Sequence, residues 1–306
     1  MKSIRIGTRK SPLALWQARE VARHLQNRNF TTEITPIISN GDKQLNQPLY
    51  QMGITGVFTR DLDTALLNKE VDIAVHSLKD VPTLLPEGLE LIAFLNRDYH
   101  HDVLVRSQKA KNKPLEELSI ATSSLRRRAF WSEEFPNTSF VDIRGNVQTR
   151  LDKIENGLAD ATLFSKAGLA RLDLKVDYEA LPFMLSAPSQ GVVVVTARKE
   201  DVEIKEILQG INDSDTQICV EIERAFLQTL EGGCTAPIGA YAEIIEGEVR
   251  FQGRICTLDG RKCISLEETL SKENPREQGI KVAQTFLNSG AKEIMDEVKP
   301  RLGGTL

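Results

Sequence analysis

A chain of 306 residues with 41% hydrophobic and 27% charged content can bury two or three cores and is too apolar for disorder. The formal net charge of -4 leaves no overall positive field to hold phosphates, so no nucleic-acid partner is expected. No apolar run reaches the length of a membrane span, and Met1–Gly7 carries charge inside its short apolar run, unlike a signal peptide. The expected compartment is the cytoplasm, with the four cysteines reduced.

Ser3–Gly7 reads as a first strand, Thr8-Arg9-Lys10 as a polar turn, and Ser11-Pro12 as a helix N-cap with proline at the first helical position. Ala14, Ala18, Val21, Ala22 and Leu25 share one helical face, so the helix runs to about Asn27. Such a helix start, with Arg9 beside it, suits an anion, although an ordinary strand–helix connection explains it as well. Glu33–Ile38 is the next strand, and Ser39–Thr55 a polar loop long enough to suggest function. Phe58, Leu62, Ala65 and Leu66 give a helix. Val71–Pro82 is the most telling stretch. An apolar, β-branched half reads as a buried strand, and the chain then turns polar at once through His76, Ser77, Lys79 and Asp80. A strand ending this way delivers ionisable groups to the carboxyl edge of a sheet, where open α/β folds bind ligands. Leu89–Leu95 is another strand, and the alternation implies a largely parallel sheet.

His100-His101-Asp102 could suggest a metal, but adjacent histidines in a strand or loop point apart and no second ligand cluster appears, so none is expected. A second α/β unit follows. Its strands are Val103–Arg106, Ser119–Ala121, Phe140–Ile143 and Ala161–Phe164. Thr122-Ser123-Ser124 caps a helix beginning at Leu125, and a helix after Arg144-Gly145-Asn146 turns Val147, Leu151 and Ile154 inward. Leu185–Gly191 is a crossover, and Val192–Ala197 a central strand. From Asp215 the pattern changes. Cys219, Ile222, Phe226, Leu227 and Leu230 line one helix face, and Gly232-Gly233 ends the helix. Gly239–Ile245, Glu248–Thr257 and Lys262–Leu270 read as three antiparallel strands joined at Glu246-Gly247 and Asp259-Gly260. A helix from Asn274-Pro275 turns Ile280, Ala283, Phe286 and Leu287 inward, and a last helix runs to about Val298.

Three constellations carry chemistry. Cys219 reads as core, and Cys256 and Cys263 as two packed thiols on facing strands. Cys234 follows two glycines in a loop, where its sulfur need not be buried; it is a candidate nucleophile or attachment point. Arg9, Lys79, Arg126, Arg127, Arg144, Arg150 and Arg171 all read as falling at or just after strand ends or in first helical turns. In an acidic chain that convergence indicates a specific anion, which arginine forks take in bidentate fashion. Asp80 is a lone carboxylate among these cations, suited to stabilising a cationic intermediate.

The segments Ile6–Ala14, His76–Pro82, Thr122–Arg127, Arg144–Val147 with Thr149–Leu151, and Leu230–Cys234 occur in this order. Together they resemble porphobilinogen deaminase, also called hydroxymethylbilane synthase, along the whole chain. The resemblance implies an α/β fold of three domains. Domain 1 would be 1–95 with 191–212, domain 2 would be 99–187, and domain 3 would be 213–306. The first two would be type II periplasmic-binding-protein-like α/β domains flanking a cleft. The third would be a small α+β domain with a three-stranded antiparallel sheet. The resemblance also implies a transferase that joins four porphobilinogen units head to tail with loss of ammonia, then releases the linear tetrapyrrole with water. A dipyrromethane cofactor would be attached through Cys234. Asp80 would be catalytic; Lys79, Ser124, Arg126, Arg127, Arg144 and Arg150 would hold cofactor carboxylates. Arg9, Ser11 and Arg171 would meet substrate, sharing Arg144 and Arg150. A monomer is expected on the same ground.

Departures from the family pattern are Gln51 and Thr55 where many relatives carry lysines, and Lys166 where a small apolar residue is usual. Ser186–Gly191 also varies the usual crossover. Lys166 is expected to replace part of the lost charge. A non-catalytic two-lobed binder of a small polyanion would explain the arginines but not Cys234. A thiol-dependent acyl or phosphoryl transferase is a third alternative.

Overall fold

The computed structural model describes residues 3–38, 56, 58–230 and 236–299. The chain divides into two compact units, the first drawn from Met1–Gln44, Ile54–Asp98 and Gly191–Ile218, the second from Tyr99–Gln190 and the chain from Cys219 on.

The first unit opens with β1 (Ile4–Arg9) and α1 (Pro12–Gln26). Ser11 caps α1 by accepting from the Ala14 amide at 3.3 Å, and Pro12 sits where a missing N–H costs nothing. Ala14, Ala18, Val21, Ala22 and Leu25 are buried, so the face read from spacing is the face that packs. β2 (Thr32–Ile37), α2 (Arg60–Leu67), β3 (Ile73–Ser77) and β4 (Leu89–Phe94) follow. β10 (Val193–Arg198) and α6 (Val202–Gln209), a helix not expected from the sequence, complete the unit. The sheet order is β2-β1-β3-β10-β4. β1 is parallel to β2 and β3, whereas β10 is antiparallel to β3 and β4. The sheet is therefore mixed rather than largely parallel, because β10 is not reached by a strand–helix–strand crossover that would force its direction.

In the second unit β5 (Asp102–Arg106), β6 (Ile120–Ala121), α3 (Leu125–Glu134), β7 (Phe140–Val141), α4 (Val147–Glu155), β8 (Ala161–Ser165), α5 (Lys166–Arg171) and β9 (Glu179–Ala180) form an α/β layer. Its sheet order is β7-β6-β8-β5-β9, which repeats the first sheet with an antiparallel β5 in the place of β10. Two sheets of this order bear out the type II periplasmic-binding-protein-like fold. α7 (Ser214–Thr229) leads toward the last sheet, β11 (Ile238–Ile245), β12 (Glu248–Cys256) and β13 (Cys263–Leu270), in antiparallel order. Phe226 of α7 meets the Phe251 and Phe286 rings at 5.2 and 4.9 Å, the edge-to-face packing that aromatic quadrupoles favour. α8 (Pro275–Phe286) and α9 (Lys292–Val298) close the chain.

Three expectations change here. Ile280 is 42% exposed, and the inward stripe of α8 is Gly279, Val282, Ala283 and Phe286. Gly279 explains the rotation: a Cβ there would lie 2.3 Å from the Ile222 carbonyl, so the helices meet on their backbones. Cys256 and Cys263 are disulfide-bonded rather than packed as thiols, because they are direct partners across β12 and β13 with Cα atoms 4.2 Å apart. The His100 and His101 rings do not point apart; their centroids lie 3.8 Å from each other, since neither residue belongs to a strand whose pleat would separate them.

Candidate active site

Each unit carries its own cluster at the carboxyl edge of its sheet. In the first, β1 and β3 are parallel neighbours, with Ile6 opposite Ile73, so their C-terminal ends fall together. Arg9 and Ser11 follow β1, while His76, Ser77 and Asp80 come from the end of β3 and the single helical turn after it. With Gln17 and Phe58 they line an indentation that is open to solvent. The Arg9 guanidinium lies 4.2 Å from the Phe58 ring centroid, which holds the cation over a π face. Gln17 Nε2 donates to Ser77 Oγ at 2.6 Å. Burial, and then the Arg9 charge, brings the His76 pKa down to about 4, so its imidazole is neutral near pH 7. Asp80 is the only acid among the described residues lining the indentation. Lys79 shares its turn and is half-buried.

In the second unit β7, β6 and β8 are parallel, and β5 pairs antiparallel with β8 so that Asp102 faces Ser165 at the same edge. Thr122–Ser124 leave β6 there, and Ser124 Oγ accepts from the Arg127 amide as the cap of α3. Arg126 and Arg127, in the first turn, are both buried. Each donates through Nη2 to Asp102, at 2.6 and 2.7 Å, and through Nη1 to a carbonyl, Leu185 O and Leu163 O respectively. Arg150 of α4 donates to Thr162 Oγ1 at 3.0 Å and to Leu163 O at 2.7 Å, with its guanidinium 4.4 Å from the Phe164 centroid. Burial, then the Arg127 charge, pulls the Arg150 pKa down to about 9, against the pull of Asp102. Burial also lowers that of Arg126, with Asp102 opposing. Arg144 precedes Asn146, the cap of α4, and Arg171 is buried at the end of α5. Lys166 Nζ lies 4.1 Å from the Tyr99 ring centroid and 5.7 Å from that of Tyr178.

The fit of this cluster to an acid-bearing ligand can be tested on its donors. Arg127 Nε and Arg150 Nε are buried and have no hydrogen-bond partner among the described residues. Desolvated guanidinium groups with open donors favour a carboxylate, which offsets the cost of their burial. Cys234, Gln51 and Thr55 lie outside the described residues. Reading the sequence for cations left out Asp102, Gln17 and Phe58, which pair with those cations. The run of acid and base around positions 100–102 was a signal for the first, but nothing local marked the other two.

Arginines gathered at strand ends in the second unit, and Arg9 with Asp80 in the indentation of the first, are arrangements of an α/β protein suited to an anionic ligand. A family model described as "Porphobilinogen deaminase, dipyromethane cofactor binding domain" matches residues 4–206, and a "Porphobilinogen deaminase, C-terminal domain" model matches 217–288. A porphobilinogen deaminase of Desulfitobacterium hafniense is 40% identical over 99% of this chain and 99% of its own length. One from Chloroherpeton thalassium is 40% identical over 97% and 98%. Among solved structures, the periplasmic VFT2 domain of Bordetella pertussis BvgS is 15% identical, with a TM-score of 0.41 over 68% of this chain and 86% of its own. The chain belongs to the porphobilinogen deaminase family, transferases of tetrapyrrole biosynthesis.

Proposed function

We propose that this chain condenses four porphobilinogen molecules head to tail, releasing one ammonia per unit, and frees linear hydroxymethylbilane with water. Its primer would be a dipyrromethane joined to Cys234 by a thioether. When bound, that group supplies the pyrrole carbon to which the first unit is added. Every pyrrole carries an acetate and a propionate arm, so the growing chain is a polyanion. Arg126, Arg127, Arg144, Arg150, Lys79 and Ser124 would hold the arms of the primer. Arg9, Ser11 and Arg171 would meet the incoming unit, with Arg144 and Arg150 shared as the chain lengthens.

Loss of ammonia from porphobilinogen leaves a cation shared by the methylene carbon that carried the amine and the ring nitrogen. Asp80, in the indentation, would stabilise that charge through space and hand on the proton released when the new carbon–carbon bond restores the ring. Neutral His76 adds no competing positive charge. Two observations support the reading, one in each unit: buried guanidinium donors left open at Arg127 and Arg150 in the second, and a carboxylate, Asp80, lining an indentation with Arg9 and Ser11 in the first. A monomer in the cytoplasm is part of the same proposal. The test is the intact mass of the purified protein. Wild type should carry an increment of two porphobilinogen units less the ammonia lost, absent from Cys234→Ser. An active wild type with an unmodified Cys234 would refute it.

A further inference from the structure

Asp102 takes no part in the chemistry described above, yet it is the most enclosed carboxylate of the second cluster. Its side chain is 0% exposed. Oδ2 accepts from Arg126 and Oδ1 from Arg127, and Gln190 Nε2 donates to Oδ1 at 3.1 Å and to His100 O. Gln190 belongs to the crossover after Leu185, so the same carboxylate also ties that segment to the arginine pair. One negative charge between two buried guanidinium groups leaves the pair with a single net positive charge. It also spends only one Nη donor of each arginine, while Arg127 Nε stays open.

We infer that Asp102 is a positioning residue: it sets the place of the Arg126 and Arg127 forks and trims their charge, so that they hold acid arms without repelling one another. Gln190 fixes Asp102 in turn. Without the carboxylate the two like charges would move apart, and the open donors would no longer converge. This inference rests on the proposed function of those arginines.

The test uses the full chain as wild type, Asp102→Asn, Asp102→Glu and Gln190→Leu. The readouts are melting temperature, the fraction of protein carrying the mass increment, and kcat and KM for porphobilinogen. Folded Asp102→Asn should carry the increment on less than about a tenth of molecules. Asp102→Glu keeps the charge but displaces it by one methylene, and should not restore loading. Gln190→Leu leaves both ion pairs in place; it should melt near wild type and raise KM about threefold with kcat within twofold. Full loading in Asp102→Asn, or wild-type loading in Asp102→Glu, overturns the inference. If Asp102→Asn does not fold, Gln190→Leu decides, and an unchanged KM there is equally fatal. A wild type without increment or turnover refutes the proposed function itself, and this inference falls with it.

Discussion

Gly260 stands at φ +71° in the turn between β12 and β13, pressed against the backbone of α3. A Cβ there would lie 2.3 Å from the Glu133 nitrogen, 2.7 Å from the Ser132 carbonyl carbon and 2.8 Å from the Glu133 Cα. All three are main-chain atoms, so no side chain can swing aside. The turn has little room to yield: Thr257 N donates to Lys262 O at 2.9 Å, Gly260 N to Thr257 O at 3.0 Å, and Cys256 is bonded to Cys263 just below. Gly260→Ala therefore meets two costs. The left-handed backbone costs an L-residue about 1–2 kcal/mol, and forcing a methyl into packed main chain about 1–3 kcal/mol. Together these are about 2–5 kcal/mol, which for a unit of this size lowers the melting temperature by about 5–15 °C. The same α3 carries Arg126 and Arg127 at its other end, so a displaced helix should also reduce the fraction of protein bearing the mass increment. Thermal unfolding by circular dichroism and by the fluorescence of buried Trp131, beside intact mass, checks both. A melting temperature within a degree of wild type would show that the hairpin does not brace α3 as described.

Asp80→Asn should abolish turnover with an unchanged melting temperature, because charge rather than shape is lost; near-normal turnover would remove Asp80 from the mechanism. Lys166→Ala should raise KM several-fold and spare kcat, and steady-state kinetics with both constants unchanged would end its assignment as a replacement cation. Arg150→Lys keeps a charge but loses the fork that reaches Thr162 and Leu163 and the stacking on Phe164. KM should rise about tenfold, in keeping with the difference between the two side chains. Asp63 is buried on α2, and burial raises its pKa from 3.8 to about 6. The raised folded value means the acid is bound as neutral, so its contribution to stability is full below pH 4 and is lost as the pH climbs to about 6. At about 1.36 kcal/mol per unit this is at most about 3 kcal/mol. Urea unfolding of Asp63→Asn between pH 4 and 7 should show the variant gaining on wild type over that window and level above it; a constant difference would be inconsistent with the shift.

Much of this protein is local in origin. The cap at Ser11, the stripe from Ala14 to Leu25, the valine run of β10 and the turn at Glu246-Gly247 each follow from residues a few positions apart, so spacing and turn chemistry suffice to place them. The same holds for the rule that put Arg9, Asp80, Arg126 and Arg150 at the carboxyl edges of sheets. Order along the chain does not determine strand direction, which is why β10 and β5 came out antiparallel. It does not give helix rotation either: Val282 faces inward instead of Ile280 because Gly279 lets two backbones touch. The disulfide depends on a cross-strand register, and the pairing of Arg126 and Arg127 with Asp102 joins positions 24 and 25 residues apart. The sequence by itself determined the family and the cations, because those are properties of residue type and order; Asp80 read as the lone acid among them, but Asp102 lies between Arg126 and Arg127. Only the tertiary structure decided which carboxylate steadies which arginine, because burial and distance between remote residues set the electrostatics of the site.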